Sequence, residues 1–367
     1  MTIGVPKEIK THEYRVGMTP HSVKAYVKSG HKVMVEKGAG VGSGYEDEEY
    51  VAAGASMVAD RKEIFTKSEM IVKVKEPLAE EFPLFHEGQI LFTYLHLAAG
   101  KELANELLKR KVTGVAYETI QLPDGYLPCL TPMSEIAGRL SVQEGAKYLE
   151  KEFGGRGILL GGVPGVQRGK VAVLGGGIVG TNACKIAVGI GANVTVLDIN
   201  AKRLAYLDDI FGSSITTLYA TEANIEQVLR ESDIVIGAVL VAGETAPRLI
   251  TRQHLSIMQH GAVIVDVAID QGGCAETSRP TTHDDPIYII DNVVHYCVAN
   301  MPGAVARSST IALTSVTLQY GLMIANQGLK AAAQANDALK RGINTFDGKC
   351  VHPGVAKSCG FPYTEYK

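Results

Sequence analysis

Residues 170–198 read KVAVLGGGIVGTNACKIAVGIGANVTVLD. An apolar strand pattern runs into Gly175-Gly176-Gly177-Ile178-Val179-Gly180, a G-x-G-x-x-G, and the glycines open a helical pattern. That context constrains the fold more than any other feature of the chain. Gly175 permits the tight turn, Gly177 lets the backbone close on a pyrophosphate, and Gly180 lets helix and strand pack. The helix start offers free N–H groups and a positive dipole end to phosphates, at Ile178 and Val179. The next strand ends in Asp198, at the offset of the acid that binds adenosine ribose hydroxyls. Its charge would repel a 2′-phosphate, which favours NAD over NADP. Lys202 and Arg203 follow closely. Arg203 reads either as a flank of the adenosine end or as a solvated helix charge.

Strands alternate with helices both before and after this segment, which predicts an α/β protein with mostly parallel, helix-covered sheets. At 367 residues the chain exceeds one ordinary core, so two domains are expected. The boundaries are read near Cys129 and Arg307. Residues 129–306 then form a central Rossmann NAD-binding domain, inserted in a discontinuous substrate domain of residues 1–128 and 307–367. The pattern from residue 309 onward reads as helical. A net charge of −3 and a pI of about 6.4 give no electrostatic support for nucleic-acid binding. The six cysteines are scattered without a CxxC pair, which argues for reduced, structural thiols and against a zinc site. No metal site is expected. No apolar run approaches the roughly 20 residues of a membrane span, and the N-terminus shows no signal-peptide pattern. A cytoplasmic protein is expected.

Ligands of such sheets bind at the carboxyl ends of the strands. Val239-Leu240, Val267-Ala268-Ile269-Asp270 and Val298-Ala299-Asn300-Met301 follow three later strands and could line the nicotinamide half of a cofactor site. Ser134 and Arg279 are polar residues near the domain edges that could reach the cofactor. Four ionisable residues stand at or just after strand ends: Arg15, Lys75, His96 and Asp270. An arginine fork with a lysine suits a substrate carboxylate. A histidine is the usual proton carrier near neutral pH, and an aspartate near a nicotinamide could hold a water or an ammonium. Each also has a bland reading. Arg15 could be a surface ion-pair residue and His96 a satisfied core histidine. Asp270 could be a turn former before Gly272. Lys73 and Lys75, in IVKVKEP (residues 71–77), could be an exposed edge-strand pair.

Over almost its full length the chain resembles the L-alanine dehydrogenase family. The segments that carry this are GVPKEIKTHEYRVGMTP, VKVKEP, ILFTYLHLA, PMSEIAGRLSVQ, GGVPGV, GGGIVG, VTVLD, VIGAVLV, VDVAIDQGGCAETSRPTTH and YCVANMPGAV. The NAD-binding domain of proton-translocating transhydrogenase and the lysine-forming saccharopine dehydrogenases share some motifs. The transhydrogenase domain is not expected to carry VKVKEP or LHLAA. The resemblance implies reversible, NAD-dependent oxidative deamination of L-alanine to pyruvate and ammonium. It implies Arg15 and Lys75 as substrate-binding residues and His96 and Asp270 as the catalytic acid/base pair. It also implies cofactor contacts at Ser134, Ile178, Val179, Asp198, Arg203, Val239, Leu240, 267–270, Arg279 and 298–301. Ala220 stands where relatives can carry Ser, and no contact is assigned to it. A cytoplasmic homohexamer is implied. Lys73 has no role beyond charge or structure. The alternatives are an NAD-binding transhydrogenase-type module and another amino-acid or ketimine dehydrogenase.

Overall fold

The computed structural model describes residues 1–239 and 246–367. It divides into two compact units: Met1–Met133 with Gly303–Lys367, and Ser134–Pro302. Both are α/β, and each is built on a mostly parallel sheet with flanking helices.

The first six strands belong to unit 1: β1 (Thr2–Val5), β2 (Lys32–Glu36), β3 (Ser56–Val58), β4 (Met70–Val72), β5 (Ile90–Thr93) and β6 (Thr113–Ala116). Unit 2 holds β7 (Lys170–Leu174), β8 (Asn193–Asp198), β9 (Ile215–Tyr219), β10 (Ile234–Gly237), β11 (Val263–Asp266), β12 (Ile287–Ile290) and β13 (Val293–Tyr296). The chain then returns to unit 1 with β14 (Ile343–Phe346) and β15 (Lys349–Cys350).

The unit 1 sheet runs β15-β14-β6-β5-β4-β1-β2-β3. From β6 to β3 it is parallel, and β14 and β15 add an antiparallel edge. Its central strands are apolar on both faces: Ile71, Leu91, Phe92 and Val115 are at most 1% exposed, as a sheet covered on both sides requires. The helix Pro20–Lys28 starts as its residues dictate. Thr19 caps it by accepting from the Ser22 N–H, and Pro20 at the first position gives up no needed donor.

The helical reading of the C-terminal segment is corrected beyond residue 342. The long helix Ala306–Gln327 and two short ones are followed by the β14–β15 hairpin. The physical reason lies in the residues themselves. Ile343 and Thr345 are β-branched, and Asp347-Gly348 take positive φ at both turn positions, the Asp-Gly hairpin turn. β14 also finds a distant partner in β6, where Thr345 Oγ1 accepts from the Gly114 N–H.

In unit 2, among the described residues, the order is β12-β13-β11-β10-β7-β8-β9. All pairs are parallel except β12–β13. β7 leads by way of a helix to β8 on one side and has β10 on the other, so the strand order reverses there. That is a topological switch point.

No helix among the described residues is long and apolar enough to cross a membrane. All six cysteines are buried. Burial pushes the Cys129 and Cys184 thiols up to about 12 and the Cys297 thiol up to about 11. At pH 8 roughly one Cys129 in ten thousand would then be thiolate, the reactive form. Iodoacetamide should therefore label the native chain far more slowly than the urea-unfolded chain. Rapid native labelling at Cys129 or Cys184, read by peptide mass, would contradict this.

Candidate active site

In unit 1 three loops leave the carboxyl ends of neighbouring parallel strands β1, β4 and β5, and each carries one of the predicted residues: Arg15, Lys75 and His96. The loop bearing Arg15 approaches the end of β4 so closely that a Cβ on Gly17 would lie 2.5 Å from the Val72 carbonyl oxygen. Glycine is required there by space alone.

Arg15 is not a surface residue. It is 2% exposed and its guanidinium is paired with Glu13, Nε to Oε1 at 2.7 Å and Nη2 to Oε2 at 2.6 Å. Nη1 lies 3.1 Å from Met133 Sδ. Burial opposes the charge of Arg15, and the hydrogen bonds and charge of Glu13 overcome this and raise its pKa. Glu13 therefore occupies the Nε–Nη2 side of the fork.

The strand predicted through Lys75 stops at Val72, and the reading of Lys73 as an exposed edge residue is corrected. β4 is interior, between β5 and β1. Lys73 is fully buried, with its ammonium 2.9 Å from Glu81 and 3.2 Å from Glu8. Burying one ammonium with two carboxylates is tolerable because each is paired. Burial raises the Glu8 pKa, and Lys73 works against that rise. Glu8 also orders the backbone beyond β4. Its Oε1 accepts from the N–H of Val74 at 2.6 Å and of Lys75 at 3.3 Å. The Lys75 carbonyl accepts from Thr93 Oγ1. Lys75 itself is half-buried.

His96 is not a core histidine, since its side chain is 46% exposed. It has φ of +48°, the left-handed region that few non-glycine residues adopt. Glu118 holds this turn: its carboxylate accepts from the Leu95 N–H at 3.2 Å and the His96 N–H at 2.6 Å. The ring stacks on Tyr94, with centroids 5.8 Å apart. Its Nδ1 lies 3.1 Å from Glu76 Oε2, and Lys10 Nζ lies 2.6 Å from Glu76 Oε1. Burial alone would raise the Glu76 carboxyl. The hydrogen bond and charge of His96, the Lys10 hydrogen bond and the Lys75 charge outweigh it and hold Glu76 well below the usual carboxylate range.

In unit 2 the glycine turn is as its residues require. Gly175 has φ of +102°, and a Cβ there would lie 2.7 Å from the Ala238 carbonyl oxygen. A Cβ on Gly180 would lie 1.9 Å from the Gly175 oxygen, so only glycine allows the helix Ile178–Ile190 to pack on β7. At Gly177, by contrast, a Cβ would meet nothing within 4 Å. Gly177 caps the helix without any side-chain hydrogen bond, which leaves the first-turn N–H groups of Ile178 and Val179 to an external acceptor. These features fit a dinucleotide pyrophosphate. Asp198 ends β8, where its carboxylate accepts from the Gly176 N–H at 2.7 Å and the Asn200 N–H at 2.8 Å. A carboxylate has lone pairs left for two ribose hydroxyls. Arg203 folds back across the turn, donating to the Gly176 carbonyl and to Thr181 Oγ1, and stacks on Tyr206.

The other predicted positions lie mostly at the same edge of the sheet. Val239 follows β10 and is half-buried, while Leu240 lies outside the described residues. Val267, Ala268, Ile269 and Asp270 lie in the 3₁₀ turn Val267–Gln271 after β11, with Asp270 exposed. Asp266, missed by the sequence reading, organises this loop. It is 1% exposed and accepts from the N–H groups of Ala268 and Cys274 and from Ser278 Oγ. Val298, Ala299, Asn300 and Met301 follow β13, with Asn300 at φ of +67°. Ser134 is half-buried in the first turn of the helix Thr131–Tyr148, and Arg279 lies over the Tyr288 ring at 4.1 Å. Glu13, Glu76 and Glu118 were also missed. The first two stand beside Arg15 and Lys75 in the chain, and that adjacency was the available signal. Among the described residues no group of three or more His, Cys, Asp or Glu side chains is placed to hold a metal ion.

Comparison with known proteins shows the family. Residues 4–137 match the model of the alanine dehydrogenase/PNT N-terminal domain, and residues 141–353 match that of the C-terminal domain. The chain is 60% identical to an alanine dehydrogenase of Methanococcus maripaludis, covering 99% of this chain and 98% of that protein. It is 57% identical to the alanine dehydrogenase of Geobacillus stearothermophilus over 100% and 98% of the two chains. A solved structure described as L-alanine dehydrogenase superposes with a TM-score of 0.95 at 54% identity, covering 98% of this chain and 99% of that one. A transhydrogenase from Sinorhizobium meliloti shares the fold at 24% identity, with a TM-score of 0.82 and 96% and 99% coverage. The chain belongs to the alanine dehydrogenase/PNT family.

Proposed function

We propose that this chain is an NAD-dependent oxidoreductase that converts L-alanine and water reversibly to pyruvate and ammonium. The observation that carries the proposal is the grouping of Arg15, Lys75 and His96 on loops from three neighbouring strands, in a chain that matches proteins named alanine dehydrogenase from end to end. Arg15 and Lys75 bind the substrate carboxylate and orient the α-carbon. When bound, NAD accepts the hydride from that carbon. Water then adds to the resulting imino acid, and His96 takes the water proton while the C=N electron pair moves to nitrogen. That proton passes to the nitrogen, and the C–N bond breaks as the hydroxyl oxygen closes to C=O. Its O–H proton goes to His96 and from there to the departing ammonia, giving pyruvate and ammonium. Asp270 holds the water and the departing ammonium.

Ser134, Val239, Leu240, Val267 to Asp270, Arg279 and Val298 to Met301 are proposed cofactor contacts, beside the glycine turn and Asp198. Asp198 is also the reason to prefer NAD. A 2′-phosphate would meet a carboxylate there, while the nearby cation of Arg203 is directed to the turn itself. NADP should therefore support turnover at least about tenfold less efficiently than NAD. We further infer, from the family resemblance, a homohexamer that works in the cytoplasm, and sedimentation tests the assembly.

One assay separates the readings: NADH formation with alanine, serine, glycine or lysine plus 2-oxoglutarate. Formation with alanine at the highest kcat/KM is expected. Absence of any alanine-dependent NADH would favour a silent NAD-binding module, and preference for a bulkier substrate would favour another amino-acid dehydrogenase.

A further inference from the structure

Glu76 has no part in binding carboxylate or cofactor, yet it is among the most constrained side chains around His96. One oxygen meets His96 Nδ1 at 3.1 Å and the other meets the Lys10 ammonium at 2.6 Å. The histidine is held on two further sides, by Glu118 at its backbone and by Tyr94 against its ring. A carboxylate that is ionised only accepts hydrogen bonds. Nδ1 must then carry a proton and donate it, which leaves Nε2 as the ring atom able to accept one.

We propose that Glu76 is a positioning residue for His96. It fixes the Nδ1–H tautomer, aims Nε2 as the proton-exchanging atom, and supports the imidazolium formed when Nε2 takes the water proton. Glu76 keeps its own charge throughout, so no proton passes to it. Lys10 holds the second oxygen and thereby sets the plane of the carboxylate. This rests on the proposed role of His96 in alanine deamination. The alternative is that Glu76 only braces the loop after β4, as one partner of a half-exposed ion pair.

The two differ in what they change. Glu76→Gln keeps the shape and loses the obligate acceptor, because a side-chain amide can also donate to Nδ1 and invert the tautomer. In the full chain, kcat for alanine should fall about tenfold or more, a part of what proton transfer contributes. KM for alanine should change by less than about threefold, since the carboxylate-binding groups are untouched. Glu76→Asp, which restores the acceptor, should recover part of the loss. NADH binding, followed by its fluorescence, confirms a folded site in each variant.

A Glu76→Gln enzyme with wild-type kcat, beside an inactive His96→Ala, overturns the positioning role and leaves the His96 assignment standing. A loss that appears wholly in KM, or no recovery with Glu76→Asp, overturns it as well. If His96→Ala retains full turnover, the underlying assignment fails and this inference falls with it.

Discussion

His96→Ala and Asp270→Ala should each lower alanine turnover by about 10²–10⁴-fold, the usual worth of a placed proton carrier. NADH binding should be unchanged in His96→Ala and at most modestly weakened in Asp270→Ala, which loses one proposed cofactor contact but keeps the glycine turn and Asp198. The two residues sit on very different supports. His96 occupies a left-handed turn that Glu118 holds through two backbone donors, and its ring is engaged by Glu76 and Tyr94. Asp270 lies in the 3₁₀ turn Val267–Gln271, whose start is capped by the buried Asp266. Truncation to alanine leaves either backbone in place, so the loss should fall in kcat and in kcat/KM alike. Near-wild-type steady-state rates in either variant would remove that residue from the chemistry.

Lys73→Met should cost about 3–5 kcal/mol of stability. The methionine fits the volume but leaves Glu8 and Glu81 buried without their shared cation. The expected loss depends on pH. Burial already raises the Glu8 pKa, and loss of Lys73 raises it further, so the folded variant would bind a proton that the unfolded chain releases. The variant is then least impaired below the ordinary carboxylate pKa and loses stability as pH rises through the raised value. Urea midpoints at pH 5 and pH 8 test the sign. A triple variant, Lys73→Met with Glu8→Gln and Glu81→Gln, should regain part of the loss, because it removes all three charges together. Equal midpoints for wild type and Lys73→Met would show that the buried triad contributes nothing.

The segment from 170 to 198 was legible because its determinants are local. A strand, a turn that only glycine permits, and a helix start follow one another in the chain, and each constrains its neighbour. Residues 73–76 were not, because what stops the strand there is Glu8, 66 residues earlier in sequence. The reading of Lys73 and Lys75 as an edge-strand pair has no means of seeing a side chain that takes the place of a neighbouring strand. The C-terminal hairpin shows a similar limit. Asp347-Gly348 was a local turn signal, but the alanine- and lysine-rich stretch before it suggested continued helix, and β14 gains its place from β6, some 230 residues away. His96 sat in an apolar run that suggested burial. Its exposure follows from the turn that Glu118 imposes.

The stop at Val72 leaves Lys75 in an unusual relation to the sheet. Within a sheet, the position of a residue is set by the spacing of strands, about 4.8 Å and not adjustable. Beyond β4, the donors of Val74 and Lys75 rest instead on a carboxylate at the end of a flexible stem. Lys75 is thus held between a side chain on a separate loop, Glu8, and Thr93 at the end of β5, whose Oγ1 donates to its carbonyl. A substitution at position 8 therefore removes one support of the Lys75 backbone while Arg15, Lys75 and His96 themselves stay the same.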